Sequence, residues 1–162
     1  MKKKEFYKLF SNITNFNKNP YHPLVCINGK PKLGRNIYIG AMSEINAKGG
    51  KVKIGDNCDI ASFVSINCAD SHKRCVEISK KNQIKDITIE HNVFIGSHSF
   101  IKGGAYISHH SVVAAGTIVE PKKIPPYSLI YGNPMKVKKN YYRKKKMIPH
   151  NKPTLGREEE LA

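Results

Sequence analysis

Large aliphatic residues recur at every sixth position through the middle of this 162-residue chain. They fall at Leu33, Ile39 and Ile45, again at Ile54, Ile60 and Ile66, and again at Ile89, Ile95, Ile101, Ile107, Val113 and Val119. A period of six fits neither the 3.6-residue turn of a helix nor the two-residue alternation of one long strand. It suits short extended segments that meet at tight corners, each sending one large aliphatic inward. The next residue is small at Gly34, Gly40, Gly55, Ala61, Gly96 and Ala114. A second small or branched residue stands four positions after the aliphatic at Ser43, Cys58, Val64, Val93, Ser99, Ala105, Ser111 and Thr117. Asp56-Asn57, Asn92 and Gly103-Gly104 are turn formers of the kind such corners need. The pattern predicts an all-β solenoid of about four stacked triangular coils, with parallel strands about 4.8 Å apart from coil to coil.

The period is broken twice. Between Ile45 and Ile54 there are three surplus residues, around Lys48-Gly49-Gly50, and between Ile66 and Ile89 there are seventeen. If three hexapeptides make one coil, both insertions follow the third side and leave from the same corner, one coil apart. Loops that interrupt a regular solenoid tend to carry function. The predicted organisation is an N-terminal capping segment over 1–32, a β-helix over 33–134 with an excursion at about 72–88, and a basic segment and tail over 135–162.

Three segments carry a family resemblance. They are Ile87-Thr88-Ile89-Glu90-His91-Asn92-Val93-Phe94-Ile95-Gly96-Ser97-His98, then Val113-Ala114-Ala115-Gly116-Thr117-Ile118-Val119, and the ending Ile124-Pro125-Pro126 with Tyr131-Gly132-Asn133-Pro134-Met135-Lys136-Val137. The chain resembles the hexapeptide-repeat acyltransferases over about residues 33–140, and within them the sugar acetyltransferases of the galactoside/maltose and surface-polysaccharide type. The resemblance implies a left-handed parallel β-helix, the handedness coming from the family because ordinary parallel crossovers are right-handed. It also implies a homotrimer that uses acetyl-CoA as donor and a small sugar or sugar nucleotide as acceptor.

Acetyl transfer from a thioester to a hydroxyl needs a base for the acceptor's proton and donors for the oxyanion. Histidine suits the first role because its ordinary pKa lies near neutrality. Of seven histidines, His72 opens the long excursion, where the resembled family carries its catalytic histidine. His72 is therefore the expected general base, and His98 is the second candidate. His91, His109 and His110 read as corner residues.

By resemblance the coenzyme A arm follows Ser97 and Ala115, with Gly116 and Thr117 beside the second, and Lys122, Lys136 and Lys139 receive its phosphates. The positions that contact a galactoside in the family are Gly40 and Lys48 here, which disfavours a simple galactoside or maltose acceptor. Glu44, Asn46 and Asp70 stand in as acceptor-contacting candidates. No metal is expected. Zinc-type carbonic anhydrases of this superfamily place two histidines five residues apart, a spacing absent here, and Cys68, His72 and Cys75 have no evident fourth ligand. The alternative activity is N-acetylation of a nucleotide-linked amino sugar, and a scaffold that binds coenzyme A without turnover is a further one.

The formal net charge of +16 sits mainly at the ends. Six Lys face one Glu in residues 1–30, and nine Lys/Arg face no acid in residues 121–150. Such ends suit phosphates, an anionic acceptor or peripheral contact with a membrane surface. No recognition motif or aromatic stacking platform accompanies them, so nucleic acid is not an expected partner. No eighteen-residue apolar run or signal-peptide pattern occurs, and the four cysteines read as reduced thiols, so the expectation is a cytoplasmic protein. Phe6, Leu9, Phe10 and Ile13, spaced i, i+3, i+4 and i+7, predict an amphipathic helix over the first coil's open edge. Residues 135–148 are expected to form a second short helix, and Glu158-Glu159-Glu160 to belong to a disordered tail.

Overall fold

The computed structural model describes residues 2–13 and 19–144. The basic run beyond Lys144 and the Glu158-Glu159-Glu160 tail lie outside the described residues.

The chain winds into a three-faced parallel solenoid. Face I stacks Lys32–Leu33, Val52–Ile54, Ile87–Ile89, Tyr106–Ile107 and Lys123–Ile124. Face II stacks Tyr38–Ile39, Asp59–Ile60, Phe94–Ile95, Val112–Val113 and Leu129–Tyr131. Face III stacks Cys26–Asn28, Glu44–Asn46, Ser65–Asn67, Phe100–Lys102 and Ile118–Val119. The register places like residues over like. On face II Ile39 pairs with Ile60, Ile60 with Ile95, Ile95 with Val113, and Val113 with Ile130. Every aliphatic of the six-residue repeat from Ile39 to Val119 is fully buried and points into one continuous core. Such alignment buries one large side chain per face per coil.

The small residues of the repeat seal the corners. Ser43 Oγ donates to the Ala61 carbonyl at 2.9 Å and accepts from the Val64 N–H at 3.1 Å. Ser128 Oγ donates to the Pro125 carbonyl at 2.7 Å. A buried hydroxyl is tolerated there because it meets backbone groups that would otherwise be unpaired.

The turn count is about five rather than four. Three sides extend the twelve repeat positions: Cys26–Asn28, whose Ile27 stands six residues before Leu33 and which pairs with Glu44–Asn46, and the sides of Ile124 and Ile130, which follow a corner one residue short. The described part of the C-terminal segment, to Lys144, is not a helix. Lys136–Lys138 forms a strand antiparallel to Leu129–Tyr131, because its central Val137 packs against the core while both lysines stay exposed. The N-terminal helix, Lys3–Ile13, is present, but Phe6, Leu9 and Ile13 remain 40%, 49% and 70% exposed. The first coil is closed instead by residues 21–25, with Val25 fully buried and Tyr21 packed on the core. No helix among the described residues is long and apolar enough to cross a membrane.

Candidate active site

Both interruptions leave the solenoid at the corner from face III to face I. The longer one starts where Asn67 ends its strand and Cys68 turns inward, fully buried. Ala69–Asp70 then pairs antiparallel with Gln83–Ile84, so the chain departs and returns side by side. Between them His72–Cys75 makes one helical turn.

Asp70 builds the local geometry. Its Oδ1 accepts the backbone N–H of His72 at 2.9 Å and lies 2.8 Å from the ring Nδ1 of the same residue. An ionised carboxylate can only accept, so Nδ1 carries a proton toward it, and in the neutral ring Nε2 presents the lone pair. The His72 backbone N–H and, after it, the His72 ring hold the Asp70 carboxyl below the usual carboxylate range. The two side chains are 54% and 57% exposed, which leaves Nε2 open to a substrate.

His72 and Asp70 stand on the wall of a pocket of about 160 Å³. Asn67, Phe100 and Lys102 of face III and Gln83 and Lys85 of the returning strand complete that wall. Lys102 Nζ lies 2.8 Å from Glu120 Oε2. Cys68 also touches the pocket, but burial pushes its thiol up, and burial likewise drives Cys58 up to about 11. Neither is a thiolate nucleophile. Among the described residues no three His, Cys, Asp or Glu side chains gather where a metal ion could be held.

The candidate acceptor residues separate. Asp70 engages His72 through Oδ1. Asn46 is consumed in a ladder: its amide donates to Asn67 Oδ1 at 3.0 Å, and its carbonyl accepts the Lys48 N–H at 3.0 Å. Glu44 accepts from Asn28 Nδ2 at 3.2 Å and, like Asn46, lies on face III outside the pocket.

The candidate cofactor residues lie on another edge. Ser97, Ala115 and Gly116 stack at the corner from face II to face III, where Gly116 N–H donates to the Ser97 carbonyl at 2.8 Å. Ala115 and Gly116 are exposed, and a Cβ on Gly116 would meet only open space, so this edge offers bare backbone to a slender ligand. Thr117 does not belong to it. That residue is fully buried, its hydroxyl donates to the Ala114 carbonyl at 2.6 Å and accepts from Gly132 N–H at 3.2 Å, and its role is to lock the corner. His98 is exposed and stacks on Phe63 with centroids 4.8 Å apart. Lys122 lies at the corner from face III to face I, whereas Lys136 and Lys139 lie beyond face II, all three exposed. One chain thus gathers His72 with the pocket and sets Ser97, Ala115 and Gly116 on the opposite edge of face III.

Sequence reasoning missed Phe100, Lys102, Gln83 and Lys85 at the pocket. Phe100 and Lys102 flank the inward Ile101 and pair with Ser65 and Asn67, so extending the repeat register across the excursion would have found them. Gln83 and Lys85 carried no such signal.

A carboxylate-held histidine beside a pocket on a parallel solenoid is an arrangement chemically able to take a proton from a hydroxyl or an amine. A family model described as the hexapeptide repeat of succinyl-transferase matches residues 86–121. Galactoside O-acetyltransferase of Escherichia coli K12 is 38% identical over 107 residues, covering 65% of this chain and 51% of that protein. Among solved structures, a galactoside acetyltransferase in complex with coenzyme A aligns with a TM-score of 0.55 at 30% identity, over 78% of this chain and 70% of the other. The polySia-specific acetyltransferase NeuO aligns with a TM-score of 0.55 at 29% identity, over 70% of this chain and 55% of its own. The chain belongs to the hexapeptide-repeat acyltransferases, whose fold is the left-handed parallel β-helix. It spans about half the length of the curated relatives it matches.

Proposed function

We propose that this chain transfers acetyl from acetyl-CoA to a hydroxyl of a sugar used in surface-polysaccharide synthesis, with His72 as general base. The observation that carries the reading is the Asp70–His72 pair at the pocket wall. Nδ1 donates to the carboxylate and Nε2 takes the acceptor's proton. The hydroxyl oxygen then attacks the thioester carbonyl carbon, the C–S bond breaks, and the proton passes to the departing thiolate. The reaction needs no acyl-enzyme, since among the described residues no Ser or Cys has an evident base partner. A base of this kind contributes about 10²–10⁴-fold in rate.

Coenzyme A fits the edge built by Ser97, Ala115 and Gly116, where small exposed residues leave backbone bare, and exposed Lys122, Lys136 and Lys139 suit its phosphates. Backbone N–H groups near Ser97 stabilise the oxyanion. The reading includes a homotrimer. In that trimer the donor edge of one copy would face the His72 corner of the next. The exposed Tyr38, Met42, Phe63 and Phe94 on and beside face II support a face covered by a copy.

The test is release of free thiol from acetyl-CoA against sugars, oligosaccharides and nucleotide-linked amino sugars, with His72→Ala alongside. Release with a hydroxyl acceptor, reduced about 10²–10⁴-fold in the variant, is the expected result. Release only with an amine acceptor replaces this reading with N-acetylation. Silence across the panel overturns it.

A further inference from the structure

The charge of the pocket is uneven. Asp70 is the one carboxylate on its wall, and its Oδ1 is engaged twice by His72. Two lysines, each carrying an ammonium group, line the same wall, and the charge of Lys102 reaches Asp70. That of Lys102 is matched by Glu120, whereas Lys85 has no carboxylate within salt-bridge reach among the described residues. Lys85 is exposed, but its stem is held in place. A Cβ on Gly104 would stand 3.2 Å from Lys85 Cδ, so the lysine stem lies bedded along a bare glycine at the pocket. The rest of the excursion carries Lys73, Arg74, Lys80 and Lys81 against Glu77 and Asp86, a net positive balance. An excess of positive charge on a loop concentrates anions near it.

The rest of the wall suits a sugar. Phe100 offers a flat apolar platform, and Asn67 and Gln83 offer amides for hydroxyl groups. When an acceptor and a neighbouring subunit close the pocket, water leaves Lys85. A neutral sugar would strand that ammonium without a partner, whereas an anionic one would supply it.

We propose that the acceptor carries an anionic group, a carboxylate or a phosphate, near the acetylated hydroxyl, and that Lys85 together with Lys102 selects it. This rests on the acceptor reading above and names its chemical class.

The test uses the full chain and matched acceptors: a galactoside, the corresponding galacturonide, the galactoside 6-phosphate and a nucleotide-linked galactose. Turnover is followed by thiol release, and acceptor binding is measured separately by calorimetry with coenzyme A present. Charged acceptors should exceed the neutral one about tenfold or more in kcat/KM, chiefly through KM, with an advantage that shrinks as salt rises. Which charged member leads separates carboxylate from phosphate as the source. Lys85→Gln should bring the charged-to-neutral ratio down about tenfold, the double variant with Lys102→Gln should bring it near one, and Lys85→Arg should keep it.

Equal use of neutral and charged acceptors overturns the inference and leaves the acetyltransferase reading standing. A Lys85→Gln effect on the KM of acetyl-CoA instead of the acceptor also overturns it, by assigning the charge to the donor. Selective binding of a charged acceptor without thiol release supports the inference while sinking the reaction. Failure of every acceptor to bind while coenzyme A binds overturns it.

Discussion

Two corners of the same solenoid meet opposite demands. From face I to face II the chain turns without interruption in every coil, and Asn36, Asn57, Asn92, His110 and Tyr127 stand one above another with positive φ. Contacts between coils run along that corner. Asn36 donates to Asn57 at 2.9 Å, Asn92 meets His110 Nε2 at 3.0 Å, and the His110 ring stacks on Tyr127 with centroids 5.1 Å apart. The His91 and His109 rings stack at 5.0 Å beside them. From face III to face I, by contrast, the chain leaves the repeat twice, and there it places the pocket, Asp70 and His72. A corner that carries the stacking cannot depart from the period without opening the coil above it. A corner relieved of that duty can host a seventeen-residue departure and the chemistry with it.

If this division holds, substitutions at the two corners fail in different ways. The largest stability effect falls on the uninterrupted one. A Cβ on Gly55 would lie 2.7 Å from the His91 backbone N, so Gly55→Ala should force the coils apart and destabilise by about 1–3 kcal/mol, read as a lowered midpoint in denaturant. His72→Ala, in a half-exposed loop, should leave that midpoint unchanged despite its large loss of rate. A substantial fall would break the comparison.

Next comes Asn57→Ala. It keeps a side chain at φ +56° while removing the contact with Asn36, and should lose about 1–2 kcal/mol. Asn57→Gly, free of the backbone penalty, should lose less. Equal losses would shift the weight from backbone strain to the lost hydrogen bond.

The smallest effect is the titration of Asp70. Its folded pKa is depressed, so the interaction with His72 is present above the ordinary carboxylate value near 3.9 and disappears as pH falls through the lower folded value. The Asp70 carboxyl signal in NMR should have its midpoint below about 3.9. In His72→Ala the midpoint should rise only part of the way back, because the backbone N–H of residue 72 still donates. A midpoint at the ordinary value in the unmodified chain would remove the orienting role of Asp70.

What was legible in the residues follows from locality. A Cβ direction is set by its own backbone, so an aliphatic at every sixth position announces which side chains point inward and where the faces lie. The same counting placed both insertions at one corner, as found, and singled out Asn57 and Asn92 as turn residues, whose side chains tolerate positive φ. Phe63 and Tyr127 take the same conformation with no such aptitude, imposed by the coils on either side.

Only the tertiary structure decided the rest, because each case turns on where a distant segment arrives. Lys136-Val137-Lys138 became a strand since the open edge of Leu129–Tyr131 lay beside it. Asp70 meets His72 because the bend at Ser71 aims its oxygen back along the chain. Lys85 met Phe100 and Lys102 because the excursion returns antiparallel to its own departure, a path no period records. The sequence by itself determined a solenoid with one interrupted corner, since burial of a repeating aliphatic is a local instruction. Folding determined the pocket at that corner, since a loop outside the repeat takes its position from whatever it closes against.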